Sequence, residues 1–566
     1  FDQDVDGDGK PEIVMTNYND LGHVHVFEAA GDDALQLVWS SPRVTTGGGS
    51  STPRYPIFGD LDNDGRKEVI FQVNNFGVLI FEWDGVVGSD NYGTVPSQVI
   101  TSPIFSGTVG NCEHMVVADV DGDGMNELLI AYNSAPNEND KYYVISAVGE
   151  WSTDDPGFSS FTVEYAAIRT NLGHYGLGGS PVAMIPADFD GNGSKDILIH
   201  NFNFKNVTIL KVNGADTYAL IDTAGGTGQL YLSGQGVDDV ALFGGMAYDI
   251  DGDGRQEVYL PTFPASNSTF GGTVHMISYD PGQSVTAIDA SNVSLLSFRD
   301  VMSADGDDIG GKSVFGYGWG DIDGNGKPNL YFTSTYPHTV FTAEYQGGDK
   351  KDPASWLMSM LYEGESDIYE SLTIKDSAGV VDTTARTRNL AFASKIFAQK
   401  TDFDGDGFED IVMPFQAIND STTVTTITWN QGSSSYDTTR VTIGNPKRWG
   451  LRILEATTAT GVYEVKDLII ITPNDYRLAQ NYPNPFNPST TLEFFLPVRN
   501  RISLRVYDIL GKEVRTLINN EEHPSGAGKV VWDGRDNGGR AVATGSYFYT
   551  LSFGNFQLTQ KMMLLK

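Results

Sequence analysis

The sequence predicts an all-β chain: a β-propeller of seven blades (alternatively eight, the last degenerate), followed by a C-terminal Ig-like β-sandwich. Three observations carry this. One acidic loop recurs seven times between residues 4 and 410, glycine supplies 64 of 566 residues, and the apolar runs are short and alternating. Average chains use about 7% glycine, and the excess here, with frequent Asn, Asp, Ser and Thr, marks many tight turns. No stretch sustains the 3.6-residue period of a long helix. At 40% apolar and 11% aromatic residues the chain can bury a core, which excludes disorder.

The recurrent loop has the form D-x-D-x-(D/N)-G-x-x-(D/E/N). Its chemistry lies at positions 1, 3, 5, 7 and 9. These are Asp4, Asp6, Asp8, Lys10 and Glu12 in the first copy, and Asp60, Asp62, Asp64, Arg66 and Glu68 in the second. The third has Asp119, Asp121, Asp123, Met125 and Glu127; the fourth has Asp188, Asp190, Asn192, Ser194 and Asp196. The fifth has Asp249, Asp251, Asp253, Arg255 and Glu257; the sixth has Asp321, Asp323, Asn325, Lys327 and Asn329. The seventh has Asp402, Asp404, Asp406, Phe408 and Asp410. Carboxylates so spaced on a tight turn converge on one hard cation, and Ca²⁺ takes six to eight oxygen ligands. The glycine at position 6 permits the turn, position 7 offers a backbone carbonyl, and position 9 closes the shell. An EF-hand places its closing acid at position 12 on a helix. Here the acid at position 9 runs into IVMT, VIFQV, LLIAY, ILIH, VYLP, LYFT or IVMPF, so the loop joins two strands. Up to seven structural Ca²⁺ are expected, the sixth loop being weakest because only Asp321 and Asp323 are acidic there.

Charge supports the same chemistry. The net charge is −36, with −39 on residues 1–472 and +3 on 473–566. Such a surface repels phosphate backbones, so no nucleic-acid partner is expected. Positions 1, 3, 5 and 9 of the loops hold 25 of the carboxylates, and seven Ca²⁺ would bring −36 to −22. Cys112 is the single cysteine, so no intrachain disulfide forms and bound metal is the available staple. No apolar run approaches the roughly 20 residues of a membrane helix. The chain starts at Phe1 without an initiator Met, and reads as processed or truncated.

Starts of successive loops lie 56, 59, 69, 61, 72 and 81 residues apart, enough for four short strands per unit. Such a unit cannot cover both its faces alone, as in a propeller blade. The strand WGLRILEA (449–456) is expected to return to the first blade, and GVYEVKDLIIITP (461–473) reads as a remnant eighth blade or a stalk. Insertions are expected near 280–312 and 345–390, on one rim. These units resemble the FG-GAP/VCBS-type repeats of calcium-binding β-propellers, also found in integrin α-subunit heads. The resemblance covers about 1–472 and implies calcium binding with adhesive, scaffolding or, less often, polysaccharide-cleaving roles.

The Pro-rich segment 473–497 reads as a linker and first strand, and 498–566 as the rest of the second domain. RISLRVYDI, KVVWDG, GSYFYTLSF and QLTQKMMLLK alternate as strands of a sandwich. NYPNPFNP (481–488), VYDILGKEV (506–514), WDGRDNGGRAVATGSYFY (532–549) and KMMLLK (561–566) resemble the C-terminal sorting domain of type IX secretion cargo. They are also similar to the Ig-like domain of flagellar hook-capping proteins. The resemblance implies a bacterial protein delivered to the cell surface or medium by outer-membrane secretion machinery.

Catalytic motifs are missing: there is no Gly-rich phosphate loop, G-x-S-x-G elbow or HExxH helix. His23 and His25 share one strand face, which is expected to be solvated. The acid pairs are committed to the loops. Tyr317, Trp319, Tyr331, Tyr336, Tyr362 and Tyr369 suit blade packing better than a sugar platform. The expectation is a non-catalytic surface protein in adhesion or extracellular structure. Its partner is an extracellular protein or glycan, or copies of itself in a filament. A propeller-based polysaccharide lyase or hydrolase is the alternative.

Overall fold

A computed structural model describes the chain except residues 1–3, 17–22, 32–33, 43–44, 47–48, 51, 102–103, 106–108, 111, 133–140, 150–160, 169–180, 202–205, 222–228, 232–239, 243, 265–271, 302–313, 336–337, 364–371, 374–379, 392–401, 404–408, 431–434, 445–448, 457–462, 470–475, 497–499, 524–525, 554–555 and 566. The chain divides into two compact units, Phe1–Leu468 and Ile469–Lys566. Among the described residues there is no α-helix, only strands and short 3₁₀ turns such as Ala290–Asn292 and Pro353–Ser355. None is a helix long and apolar enough to cross a membrane.

The first unit is a succession of antiparallel sheets, each built around one acidic loop. The second sheet, Pro53–Gly59, Glu68–Val73, Gly77–Glu82 and Gln98–Ile100, shows the pattern. An inner strand enters the loop, a second leaves it, and two more follow as a meander. The third sheet repeats this with Cys112–Ala118, Glu127–Tyr132, Lys141–Ala147 and Phe161–Ile168. The sixth does so with Val314–Gly320, Asn329–Thr335, His338–Tyr345 and Trp356–Glu363. The fourth and fifth sheets have five strands each.

Alternation along the strands explains why the sheets must stack. In the second sheet Ile70 and Ile80 point one way and Val69 and Phe71 the other, and all are buried. Both faces are therefore apolar, and each needs a neighbour. Val69 and Phe71 pack with Val14 and Val26 of the first sheet, and Ile70 and Ile80 with Leu128 and Ile130 of the third. Leu129 and Val144 then meet Met184 and Ile199 of the fourth, and Leu198 and Ile209 meet Val258 and Leu260 of the fifth. Tyr259 and Met276 meet Leu330 and Phe332 of the sixth, and Tyr331 and Val340 meet Ile411 and Leu454 of the seventh. A separate core at each successive interface is the propeller architecture.

Several expectations about individual strands are corrected. The strand Trp449–Ala456 does not return to the first sheet. It pairs with Asp410–Asn430, Ile411 opposite Leu454, inside the seventh. Tyr463–Ile469 joins the same sheet beside it, so it is neither an eighth blade nor a stalk. The intervals 280–312 and 345–390 contain the ordinary fourth strands Val293–Ser297 and Trp356–Glu363. The extra chain described falls partly in the second interval, as Val380–Ala391, and partly beyond it; residues 302–313 of the first interval lie outside the described residues. Asp410–Asn430 spans 21 residues, and beyond the sheet its second half pairs with Val380–Ala391 on one side and Ser435–Gly444 on the other.

The second unit packs Arg477–Leu478, Thr490–Leu496 and Gly526–Trp532 against a sheet of Glu513–His523, Asn500–Tyr507, Gly545–Phe553 and Phe556–Leu564. Leu492, Leu504, Trp532, Tyr549 and Leu551 fill the space between. The Pro-rich segment belongs to this core. Phe486 lies 5.5 Å from the Trp532 ring, and Tyr476 stacks on Phe553 at 3.7 Å.

Candidate metal centre

The acidic loops share one hydrogen-bond scheme, dictated by carboxylates two residues apart on a turn. The position 1 carboxylate accepts the N–H groups of positions 4 and 6: Gly7 and Gly9 donate to Asp4 at 2.7 and 3.0 Å, and Gly122 and Gly124 to Asp119 at 2.7 and 3.2 Å. Position 3 accepts from position 5, as Asp8 N–H donates to Asp6 Oδ1 at 3.1 Å. Position 5 accepts from position 7: Lys10, Arg66, Met125, Ser194, Arg255 and Lys327 N–H groups donate at 2.7–2.9 Å. Position 4 lies in the left-handed region, which glycine takes at Gly7 (φ 76°) and asparagine at Asn63 (φ 59°).

This scheme uses one oxygen of several carboxylates and leaves others over. In the first three loops one closing-glutamate oxygen accepts the position 2 N–H: Val5 to Glu12, Leu61 to Glu68 and Val120 to Glu127, the last two at 2.8 Å. The other oxygen, Oε1 of Glu12, Glu68 and Glu127, is buried without a hydrogen-bond partner, and so is Oδ2 of Asp6. All three glutamates are sealed from solvent. Burial and the neighbouring aspartates push Glu12 and Glu127 up to about 8 and Glu68 well above the carboxylate range, against the pull of the backbone N–H. A buried, unpaired carboxylate oxygen is costly unless a cation meets it.

The strand register adds a second acid that the loop pattern does not announce. Glu12 lies opposite Glu28, Glu68 opposite Glu82, and Asp410 opposite Glu455. Like charges in directly opposed positions are destabilising. Lys10 reaches from position 7 to Glu28 at 2.9 Å, and Arg66 pairs with Glu82 and Asp64. Asp90, on the turn after the third strand of the next sheet, completes an Asp6, Glu28 and Asp90 cluster. Asp216 plays the corresponding part beside Asp121 and Glu164, but there its N–H donates to Asp121 Oδ2 at 2.6 Å and Tyr218 Oη donates at 3.2 Å.

In the first three loops Asp4, Asp6, Asp8 and Glu12; Asp60, Asp62, Asp64 and Glu68; and Asp119, Asp121, Asp123 and Glu127 each gather closely enough to hold one ion. Their donor sets are all hard oxygen and fit a calcium ion. The other loops differ. Asp196 is turned to its own sheet, accepting from Lys211 Nζ at 2.7 Å and Val212 N–H at 2.9 Å. In the fifth, Lys350 Nζ stands 3.0 Å from Asp251, 3.2 Å from Asp253 and 2.6 Å from Glu257. In the sixth, Asn325 Nδ2 donates to Asp323 and to Glu344, each at 2.9 Å, and Tyr331 Oη accepts the Ile322 N–H at 2.8 Å. That amide network supplies hydrogen-bond donors to carboxylates in and beside the loop. In the seventh, Phe403 N–H donates to Asp410 at 2.7 Å, while Asp404, Asp406 and Phe408 lie outside the described residues.

Position 8 ties the third, fourth, fifth and seventh loops each to the one before it. Asn126 Nδ2 donates to Asp60 O at 2.6 Å, and Lys195 Nζ to Asp119 O at 3.5 Å. Gln256 N–H donates to Asp188 O at 2.7 Å while its Oε1 accepts the Asp188 N–H at 3.0 Å. Glu409 accepts the Asp321 N–H at 2.6 Å. The pattern is invisible in the sequence because the four residues that make these contacts are of four different types.

Other predicted features settle as packing. His25 is buried rather than solvated, its Nδ1 2.8 Å from Ser40 Oγ, and its ring stacks on His23 at 5.9 Å. Trp319 stacks on Tyr248 at 4.4 Å, Tyr331 is buried, and Tyr362 lies beneath the Arg452 guanidinium at 5.3 Å. Tyr336 and Tyr369 lie outside the described residues.

Residues 4–71 match the FG-GAP-like repeat family, and residues 497–555 match the FlgD Ig-like domain. No curated protein matches the chain. Among solved structures it is similar to PorZ, a bacterial surface component of the type-IX secretion system of Porphyromonas gingivalis. That likeness has 12% identity over 98% of this chain and 74% of that one, with TM-score 0.28. It is also similar to the Vibrio cholerae biofilm matrix protein Bap1, at 14% identity over 83% and 73% with TM-score 0.26. The Pseudomonas aeruginosa periplasmic gluconolactonase PpgL shows 11% identity over 81% and 95%, with TM-score 0.33.

Proposed function

We propose that this chain is an exported, calcium-stabilised, non-catalytic surface protein that serves adhesion or extracellular structure, its first unit closing as a seven-bladed ring. The observation that carries the calcium reading is the trio of buried, unpartnered oxygens on Glu12, Glu68 and Glu127. When bound, Ca²⁺ supplies the positive charge these loops lack. Asp4, Asp60 and Asp119 shape the turns, and the closing glutamates join the turn to the exit strand. Delivery by outer-membrane secretion machinery rests on the resemblance of the second unit to sorting domains.

Chelation followed by thermal melting tests the calcium reading, and a melting temperature indifferent to chelator would refute it. Binding of the calcium-loaded protein to glycan arrays and intact cells tests adhesion. Turnover of any arrayed glycan would replace the non-catalytic reading with the lyase or hydrolase one.

One observation favours a second reading, self-assembly into a filament. Ser435–Gly444 pairs with Asp410–Asn430 on one side, and its other edge has no strand among the described residues. A long open edge is a template for strand addition. Electron microscopy in millimolar calcium decides it: ordered fibres support assembly, and dispersed particles at high concentration exclude it.

A further inference from the structure

The fifth loop does not present the same vacancy of charge as the first three, although its sequence, DIDGDGRQE, is as acidic as theirs. Lys350 enters it from the turn between the third and fourth strands of the sixth sheet. Its ammonium stands at ion-pair distance from three carboxylates, Asp251 Oδ2 at 3.0 Å, Asp253 Oδ2 at 3.2 Å and Glu257 Oε1 at 2.6 Å, and donates a hydrogen bond to the second. Two of these atoms have revealing counterparts. In the first loop the same atoms, Asp6 Oδ2 and Glu12 Oε1, are buried without a hydrogen-bond partner; Glu257 Oε1 accepts no hydrogen bond either, but it faces the Lys350 ammonium at 2.6 Å. Lys350 Nζ therefore meets the oxygens that in the first loop remain for a metal.

The lysine is held there by its own turn. Trp356 Nε1 donates to Lys350 O at 2.8 Å, Tyr345 Oη donates to Gly348 O, and Lys350 is buried. Position 7 adds a second cation, since Arg255 pairs with Asp253. Lys350 and Arg255 together bring +2, the charge of one calcium ion. An ammonium and a Ca²⁺ meeting the same oxygens repel each other and exclude each other by contact.

We infer that Lys350 is a built-in counter-cation that takes the place of calcium in the fifth loop, so that this loop holds the fifth and sixth sheets together without metal. The inference rests on the calcium reading for the other loops, and the experiment separates the two. Metal-stripped full-length protein is dialysed against calcium and its bound calcium counted, for wild type, Lys350→Met, Asp253→Asn and the double variant.

The expected result is one more calcium per chain in Lys350→Met, the wild-type count in Asp253→Asn, and loss of the gained ion in the double variant. Equal, non-zero counts in wild type and Lys350→Met overturn the inference alone. So does loss of one ion in Asp253→Asn, a comparison that stands even where Lys350→Met does not fold. No calcium in any of the proteins overturns this inference and the calcium reading together.

Discussion

The hydroxyls of Tyr55 and Tyr317 lie 3.4 Å apart although 262 residues separate them. Tyr55 belongs to the inner strand of the second sheet and Tyr317 to that of the sixth. Tyr55 reaches this position through a left-handed backbone (φ 43°) at a break in its strand register. A meeting of the second and sixth inner strands means the stack of sheets curves back on itself, as a ring requires.

The inner strands also approach each other closely between neighbours. A Cβ on Gly59 would stand 2.8 Å from Val117 Cγ2, between the second and third sheets. Gly59→Ala is expected to lose about 1–3 kcal/mol of stability through this overlap. Urea denaturation of the calcium-loaded protein measures it.

Calcium should stabilise by mass action. Each site held at a hundredfold its Kd adds ~2.7 kcal/mol. Melting temperature should therefore climb steadily with free calcium and collapse on chelation, as differential scanning calorimetry would record.

The pH response of the apo-protein should run in an unusual direction. Glu12 and Glu127 are pushed up to about 8 by burial, against an ordinary 4.5. Between those values the folded apo-protein holds protons that the unfolded chain has released, so stability falls as pH rises from about 4.5 to about 8. Calcium removes the penalty by meeting the ionised form. Melting with chelator at pH 5 and pH 8 checks the slope. Protons released on calcium addition near pH 7, read from calorimetry in buffers of different ionisation enthalpy, check the linkage.

Glu127→Gln separates the metal from the fold. The amide oxygen still accepts the Val120 N–H, but the buried charge is gone. One calcium per chain should be lost, while the chelated protein at pH 8 melts no lower than wild-type apo-protein. A lower melting point in chelator would mean that Glu127 stabilises the turn by charge alone.

In the second unit, Tyr549 Oη donates to Ala479 O at 2.6 Å and accepts the Asn481 N–H at 2.8 Å. Tyr549→Phe strands that N–H in a buried place, at an expected cost of about 1–3 kcal/mol. Chemical denaturation followed at the Trp532 environment would report it.

The loops, the strands leaving them and the all-β class were legible because each is local: the spacing of carboxylates shapes one turn, and alternation shapes one strand. The seventh sheet was not. Trp449–Ala456 pairs with Asp410–Asn430 across an intervening ribbon whose strands have the same Thr-rich alternation as a blade strand. Glu28 and Glu82 could have been found by counting from Glu12 and Glu68 to the strand position opposite. Lys350 could not, because it comes from a different sheet and 93 residues separate it from Glu257.

The position 8 contacts carry a mechanical consequence. Asn126, Lys195, Gln256 and Glu409 each grip the peptide group that opens the preceding loop. A loop that loosens therefore slackens its neighbour's anchor as well as its own turn. Force applied to one of these blades is passed to the blade before it through the link, so that resistance from the second to the fifth blade is shared rather than local.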